Sequence, residues 1–144
     1  MQIDETDRTL IAALAENART PVADLARRLG LARSTVQARI DRLVAQGAIA
    51  GFTIRRGAAL APPLRATVLI GIEPRSGPEV LARLRAMPAV EAAHTTSGRV
   101  DLIVQLVADS TAALDATLDR IAEARGVRSS ESLIHLSTKI ARGA

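Results

Sequence analysis

Arg33, Ser34, Thr35, Gln37, Ala38, Arg39 and Arg42 gather guanidinium, hydroxyl and amide groups around one small side chain within a short stretch of chain. If Val36, Ile40 and Leu43 form the inward stripe of a helix, Ser34, Thr35, Ala38 and Arg42 fall on the opposite face, flanked by Gln37, Arg39 and Asp41. Hydroxyl and guanidinium groups bond base edges and phosphate oxygens, and alanine allows close approach. Such a face suits the major groove of double-stranded DNA. Polar residues on a helix are more often simply solvated. What favours DNA here is the basic bias of the helix, whose only acid is Asp41, and the turn that precedes it.

Three helices are needed to hold that face. Leu10, Ile11 and Leu14 recur at helical spacing after the acidic start Asp4, Glu5 and Asp7, which suits the positive end of a helix dipole, and the first helix should run to about Asn17. Thr20 reads as an N-cap before Pro21 at the first helical position, with Val22, Leu25 and Leu29 as the second stripe and Gly30 as the stop. Gly30-Leu31-Ala32 is then the turn into the third helix, which ends at Gly47. Helix, glycine-containing turn and helix form a helix-turn-helix. The β-prone stretch Ile49 to Ile54, broken by Gly51, is expected to form a small wing, and the Gly-, Ala- and Pro-rich segment around residues 55–64 a linker.

After the linker, strands alternate with helices. Thr67 to Ile72 alternates as a strand, Pro78 to Met87 is a helix with Val80, Leu84 and Met87 inward, and Val90 to Ser97 is a second strand. Gly98-Arg99 is expected to be a hairpin turn into a central strand, Val100 to Val107. Ser110 caps a helix carrying Leu114, Leu118 and Ile121, Gly126 ends it, and Val127 to Lys139 supplies the last strand. This βαββαβ order is the ferredoxin-like arrangement, with two helices on one face of a four-stranded antiparallel sheet. The expected fold is therefore α+β: a winged helix-turn-helix of three helices in residues 1–54, joined to a ferredoxin-like domain in residues 65–144. Neither half is large enough for a big core, and the uncovered sheet face calls for a second copy of the chain.

Composition narrows the functions. The net charge is +4, carried almost wholly by arginine, which permits nucleic-acid binding without requiring it. Cysteine is absent, so thiolate metal sites, disulfides and thiol nucleophiles are excluded. No metal site or cofactor is expected, since His94 and His135 have no spacing that would pair them as ligands and no carboxylate sits in a catalytic motif. Phe52 is the single aromatic, which argues against a single-stranded RNA binder with stacking residues on its central strands. The acidic N-terminus does not resemble a signal peptide and no run approaches a membrane span, so a cytoplasmic protein without membrane contact is the expectation.

The chain resembles the Lrp/AsnC family of feast/famine regulators over nearly its whole length. The resemblance is carried by Asp4, Asp7-Arg8, Leu10 to Leu14, Asn17-Ala18-Arg19, Asp24-Leu25-Ala26, Leu29-Gly30-Leu31, Val36, Arg39-Ile40, Arg42-Leu43, Gly47, Ile49 and Gly51-Phe52. It continues through Gly98, Asp101, Gly126-Val127 and Lys139. It implies a transcription regulator, not an enzyme, with an amino acid or similar small effector and a homodimer able to assemble to an octamer. It also implies an effector site at Ser97, Gly98, Arg99, Val100 and Asp101, where Gly98 would let the backbone approach the ligand and Asp101 would accept from an ammonium group. The plain alternative is that Gly98 makes a turn and Asp101 caps a strand. Two departures stand out: Ala32 replaces the usual serine cap of the third helix, and Arg99-Val100 replaces an acidic residue and tyrosine. The family's sirohaem decarboxylase cousins pair a histidine with Asn-Tyr, where this chain has His94-Thr95 after Val90 to Ala93. That match is poor.

Overall fold

The computed structural model describes residues 2–57, 59–60 and 63–141. The chain forms two compact units, one built on residues 1–57 and the other on residues 58–140.

The first unit contains helices α1 (Glu5–Glu16), α2 (Val22–Leu29) and α3 (Arg33–Ala45). Leu10, Leu14, Leu25, Ala26, Val36 and Leu43 form its core, with Ile11, Val22, Leu29, Ile40 and Ile49 packed partly against it. Each fully buried leucine contributes about 1.5–3 kcal/mol by leaving water. Helix α2 stops where Gly30 adopts a left-handed conformation, φ 65°, which an L side chain resists. Pro21, not Thr20, occupies the N-cap of α2; the Thr20 hydroxyl instead donates to the carbonyl of Asn17 at 2.8 Å.

The wing expected at Ile49 to Ile54 is not formed. Residues 50–57 have no regular structure, and Phe52 and Ile54 are exposed. A strand needs a neighbour for its backbone N–H and C=O groups, and among the described residues this segment has none.

The second unit runs β1 (Leu64–Ile72), α4 (Gly77–Arg85), β2 (Val90–Thr95), β3 (Leu102–Ala108), α5 (Thr111–Ala122) and β4 (Val127–Ile134). Its antiparallel sheet has the order β2-β3-β1-β4. Ala66, Val68 and Ile70 of β1 and Leu102, Val104 and Leu106 of β3 share one core with Val80, Leu84, Leu114 and Ile121 of the two helices. By strand alternation, Thr67, Leu69, Ile103, Gln105 and Val107 lie on the opposite, open face. Ser110 caps α5, its hydroxyl accepting from the Ala113 N–H at 3.1 Å.

Several boundaries differ from the sequence expectation. Strand β1 starts at Leu64, within the expected linker, and β4 ends at Ile134 rather than Lys139. The β2–β3 connection is not a two-residue turn at Gly98-Arg99. It spans residues 96–101 and is tied off by the Thr96 N–H donating to the Asp101 carbonyl at 3.1 Å. That bond holds the two strand ends together without a tight hairpin.

Candidate nucleic-acid interface and effector loop

Helix α3 buries Val36 and Leu43 and leaves Arg33, Ser34, Thr35, Gln37 and Ala38 exposed. The Gln37 amide donates to Asp41 at 2.8 Å, which orients it along the outer face. Ala32 sits at the N-cap and supplies no side-chain hydrogen bond, so the first-turn N–H groups of α3 have no side-chain cap. Among the described residues no carboxylate lies within ion-pair distance of Arg33.

Arg39 and Arg42, expected on the groove side of α3, are both engaged by carboxylates of the N-terminal helix and its cap. Arg39 Nη1 donates to Asp4 Oδ2 at 2.7 Å and to Asp7 Oδ1 at 2.8 Å. Arg42 Nη2 donates to Asp7 Oδ2 at 2.5 Å. Both side chains lean towards α1 because a fully buried carboxylate there requires partners. Asp4 and Asp7 also cap α1 reciprocally: the Asp7 N–H donates to Asp4 Oδ1 at 2.7 Å and the Asp4 N–H to Asp7 Oδ2 at 3.2 Å.

These two acids belong to the site and were missed as its members. Their spacing, an acid at the cap and another three residues on, is a capping-box signal visible in sequence. Their pairing with α3 is not visible there. The hydrogen bond from Arg39, followed by that from the Asp7 N–H, holds the Asp4 carboxyl below its ordinary range, and hydrogen bonds to the Asp4 and Asp7 carboxylates raise the Arg39 guanidinium.

A depressed carboxylate stabilises the fold above its unfolded value, about pH 4, and loses that contribution as pH falls through the folded value. Asp4→Asn should therefore lower the urea midpoint of the N-terminal unit at about pH 6 and lower it progressively less as the pH falls below about 4. Asparagine still caps a helix, so the difference isolates the charge. A loss that stays constant as the pH falls would contradict it.

In the second unit the five expected effector residues lie together in the 96–101 connection, all with exposed or half-exposed side chains. Asp101 Oδ2 accepts from the Ile72 N–H at 2.7 Å, and the Asp101 N–H donates to the Ile70 carbonyl at 2.9 Å. The aspartate thus ties the connection to the end of β1. Arg99 reaches across to Glu131 of β4, with Nη2 3.7 Å from Oε2, and that glutamate was not singled out from sequence. A Cβ placed on Gly98 would meet nothing within 4 Å.

Residues 3–44, which include the α3 face and its Asp4–Asp7 clamp, match the AsnC-type helix-turn-helix domain. Residues 65–144, carrying the sheet and the 96–101 connection, match the Lrp/AsnC ligand binding domain. The chain belongs to the Lrp/AsnC family.

Among relatives of this Lrp/AsnC chain, the HTH-type transcriptional regulator LysM of Saccharolobus solfataricus is 32% identical over 94% of this chain and 95% of its own length. The HTH-type transcriptional regulator Rv2324 of Mycobacterium tuberculosis is 35% identical over 98% of this chain and 97% of that protein. E. coli AsnC superposes with a TM-score of 0.87 at 28% identity, covering 99% of this chain and 97% of AsnC. The feast or famine regulatory protein Rv3291c of M. tuberculosis, solved with L-methionine, gives 0.84 at 32% identity, covering 97% of this chain and 96% of that one. The Lrp/AsnC chain is accordingly a transcriptional regulator with a helix-turn-helix DNA-binding domain and a ligand-binding domain, in a family whose named relatives are regulators rather than enzymes. Among the described residues no helix is long and apolar enough to cross a membrane.

Proposed function

We propose that this regulator binds double-stranded DNA sequence-specifically in the cytoplasm, and that a small effector of the amino-acid class alters its activity or assembly. The observation that supports the DNA reading best is the outer face of α3. Arg33, Ser34, Thr35, Gln37 and Ala38 are exposed there, while the other side of the helix is locked into the core by Val36 and Leu43. Phosphate contacts position such a helix and side chains at base edges read the sequence.

Arg33→Ala tests it on an operator selected from a random-duplex pool. If Arg33 contacts phosphate, the slope of log affinity against log salt flattens by about 1. If it reads a base, the loss of about 1–3 kcal/mol is confined to the selected site. Affinity and slope both equal to wild type would remove Arg33 from the interface.

Ser97, Gly98, Arg99, Val100 and Asp101 form the effector site in this reading, supported by the family match, while the L-methionine complex of the related Rv3291c supports an amino acid as the class of ligand. Asp101 is already engaged by the Ile72 N–H, so its second oxygen is the one left for a ligand ammonium group. Glu131 partly offsets the charge of Arg99, which weakens discrimination against cationic side chains but still favours acidic or neutral polar ligands. A thermal-shift series over the free amino acids checks this, because a ligand of the folded state raises the melting temperature by mass action. Aspartate, glutamate or asparagine should shift it most; lysine giving the largest shift would refute the charge argument. The functional unit is a homodimer closed over the open sheet face, with assembly of dimers towards an octamer.

A further inference from the structure

Residues 1–57 carry nine arginines against six carboxylates, yet several of those arginines are already paired. Arg27 pairs with Asp24 along α2, and Arg39 and Arg42 pair with Asp4 and Asp7 across the α1–α3 contact. Asp7 is fully buried, with both carboxylate oxygens occupied by guanidinium groups from α3. Arg42 keeps 43% of its side chain exposed, so it is held at the surface rather than sealed inside.

We propose that Asp7, assisted by Asp4, is a positioning residue for DNA binding that holds Arg39 and Arg42 against α1 and withholds them from phosphate. This rests on the DNA-binding reading above. A buried ion pair is weak evidence of stability, because an apolar residue of similar volume often packs as well or better. Besides closing the α1 capping box, the aspartate at position 7 acts on its two arginine partners. It cancels two cations beside the outer face of α3 and leaves that face untouched. Phosphate contacts raise affinity for every sequence alike, whereas base contacts discriminate. Masking two arginines therefore lowers binding to random DNA and leaves discrimination to Arg33, Ser34, Thr35, Gln37 and Ala38.

The test uses the full-length protein and a random-sequence duplex of about 20 base pairs, followed by fluorescence anisotropy across a salt series. Asp7→Asn is expected to bind random DNA more tightly and to steepen the log affinity against log salt slope by about 1, for Arg42, while Arg39 keeps its pair with Asp4. Glu16→Gln is the control, since it raises the net charge equally at an exposed position without freeing either arginine. An Asp7 that merely held the fold would weaken binding and leave the slope at the control value. That result, with a folded protein by circular dichroism, overturns the proposal.

If Asp7→Asn fails to fold, Arg42→Gln decides, because Arg39 still pairs with Asp7 in that variant. A masked Arg42 contributes no phosphate contact, so the slope should stay at the wild-type value; flattening by about 1 overturns the proposal. Failure of the underlying DNA reading is separate and appears as a wild-type protein that binds no duplex even at low salt.

Discussion

Ile103→Asp should convert the proposed dimer into folded monomers, and Val104→Asp, one residue along, should unfold the ligand-binding domain. The two side chains lie on opposite faces of β3. Val104 is fully buried, facing α4 and α5 with Val68 beside it on β1, whereas Ile103 sits on the open face opposite Leu69 and His94. An ionised carboxylate in the core has no partner, and its effective burial penalty of several kcal/mol approaches the whole stability of a small domain, about 5–15 kcal/mol. On the open face the same carboxylate stays hydrated in the monomer and meets its penalty only when a second copy covers it. Leu69 lies beside Ile103 on this face, Val107 and the exposed Leu133 add apolar surface beyond the Thr67–Gln105 pair, and the Arg65–Glu91 pair at 2.6 Å lies at its border. Apolar side chains left open on one face of a sheet are what a second copy would cover. Sedimentation equilibrium and circular dichroism read the two outcomes separately. A native wild-type monomer at micromolar concentration, or an Ile103→Asp protein that still dimerises, would contradict the assignment of this face.

The second large effect belongs to a glycine. Gly126→Ala should destabilise the ligand-binding domain by about 2–4 kcal/mol, from the left-handed backbone and from overpacking together. Gly126 joins α5 to β4 with φ 94°, and a Cβ there would lie 2.6 Å from the Ser76 Cβ and 3.0 Å from Val80 Cγ2 at the start of α4. Neither contact is the free end of a flexible side chain, so the turn itself has to move. Gly98→Ala is the contrast: its φ is not left-handed and a methyl group meets nothing within 4 Å, so stability should stay within about 0.5 kcal/mol of wild type. Urea unfolding of both variants checks the pair. If Gly98→Ala keeps its stability but loses the thermal shift given by an amino acid, Gly98 serves the ligand rather than the fold. If Gly126→Ala is as stable as wild type, the packing described around Ser76 is wrong.

The fold class and most of the core were legible in the sequence because both follow from local periodicity. Leu10, Leu14, Leu25, Val36 and Leu43 mark helix faces at the 3.6-residue period, and Val68, Ile70, Leu102, Val104 and Leu106 lie in strands by composition and alternation. Ser110 showed its cap for the same reason, since its hydrogen bond closes within four residues. The outer face of α3 followed from the same geometry as far as Ser34, Thr35 and Ala38. What the period does not carry is the direction of a long side chain at the edge of a face. Arg39 and Arg42 turn to α1 because Asp7, over 30 residues earlier, is buried there, and only the packed α1–α3 pair brings those charges together.

The same limit explains the other differences. A β-prone run such as Ile49 to Ile54 becomes a strand only if a neighbour supplies its ladder, which local sequence does not reveal. Asp101 and Ile72 belong to adjacent strand ends only because β1 lies between β3 and β4, and the reach of Arg99 to Glu131 crosses that same strand. Which face of β3 meets α4 and α5 depends on register, since a slip of one residue would exchange Ile103 for Val104. Sequence alone thus determined most of the elements and their order, and nominated the residues proposed to bind DNA or an effector. Tertiary structure decided which charges remain free, because pairing depends on distances between elements and not on spacing within them.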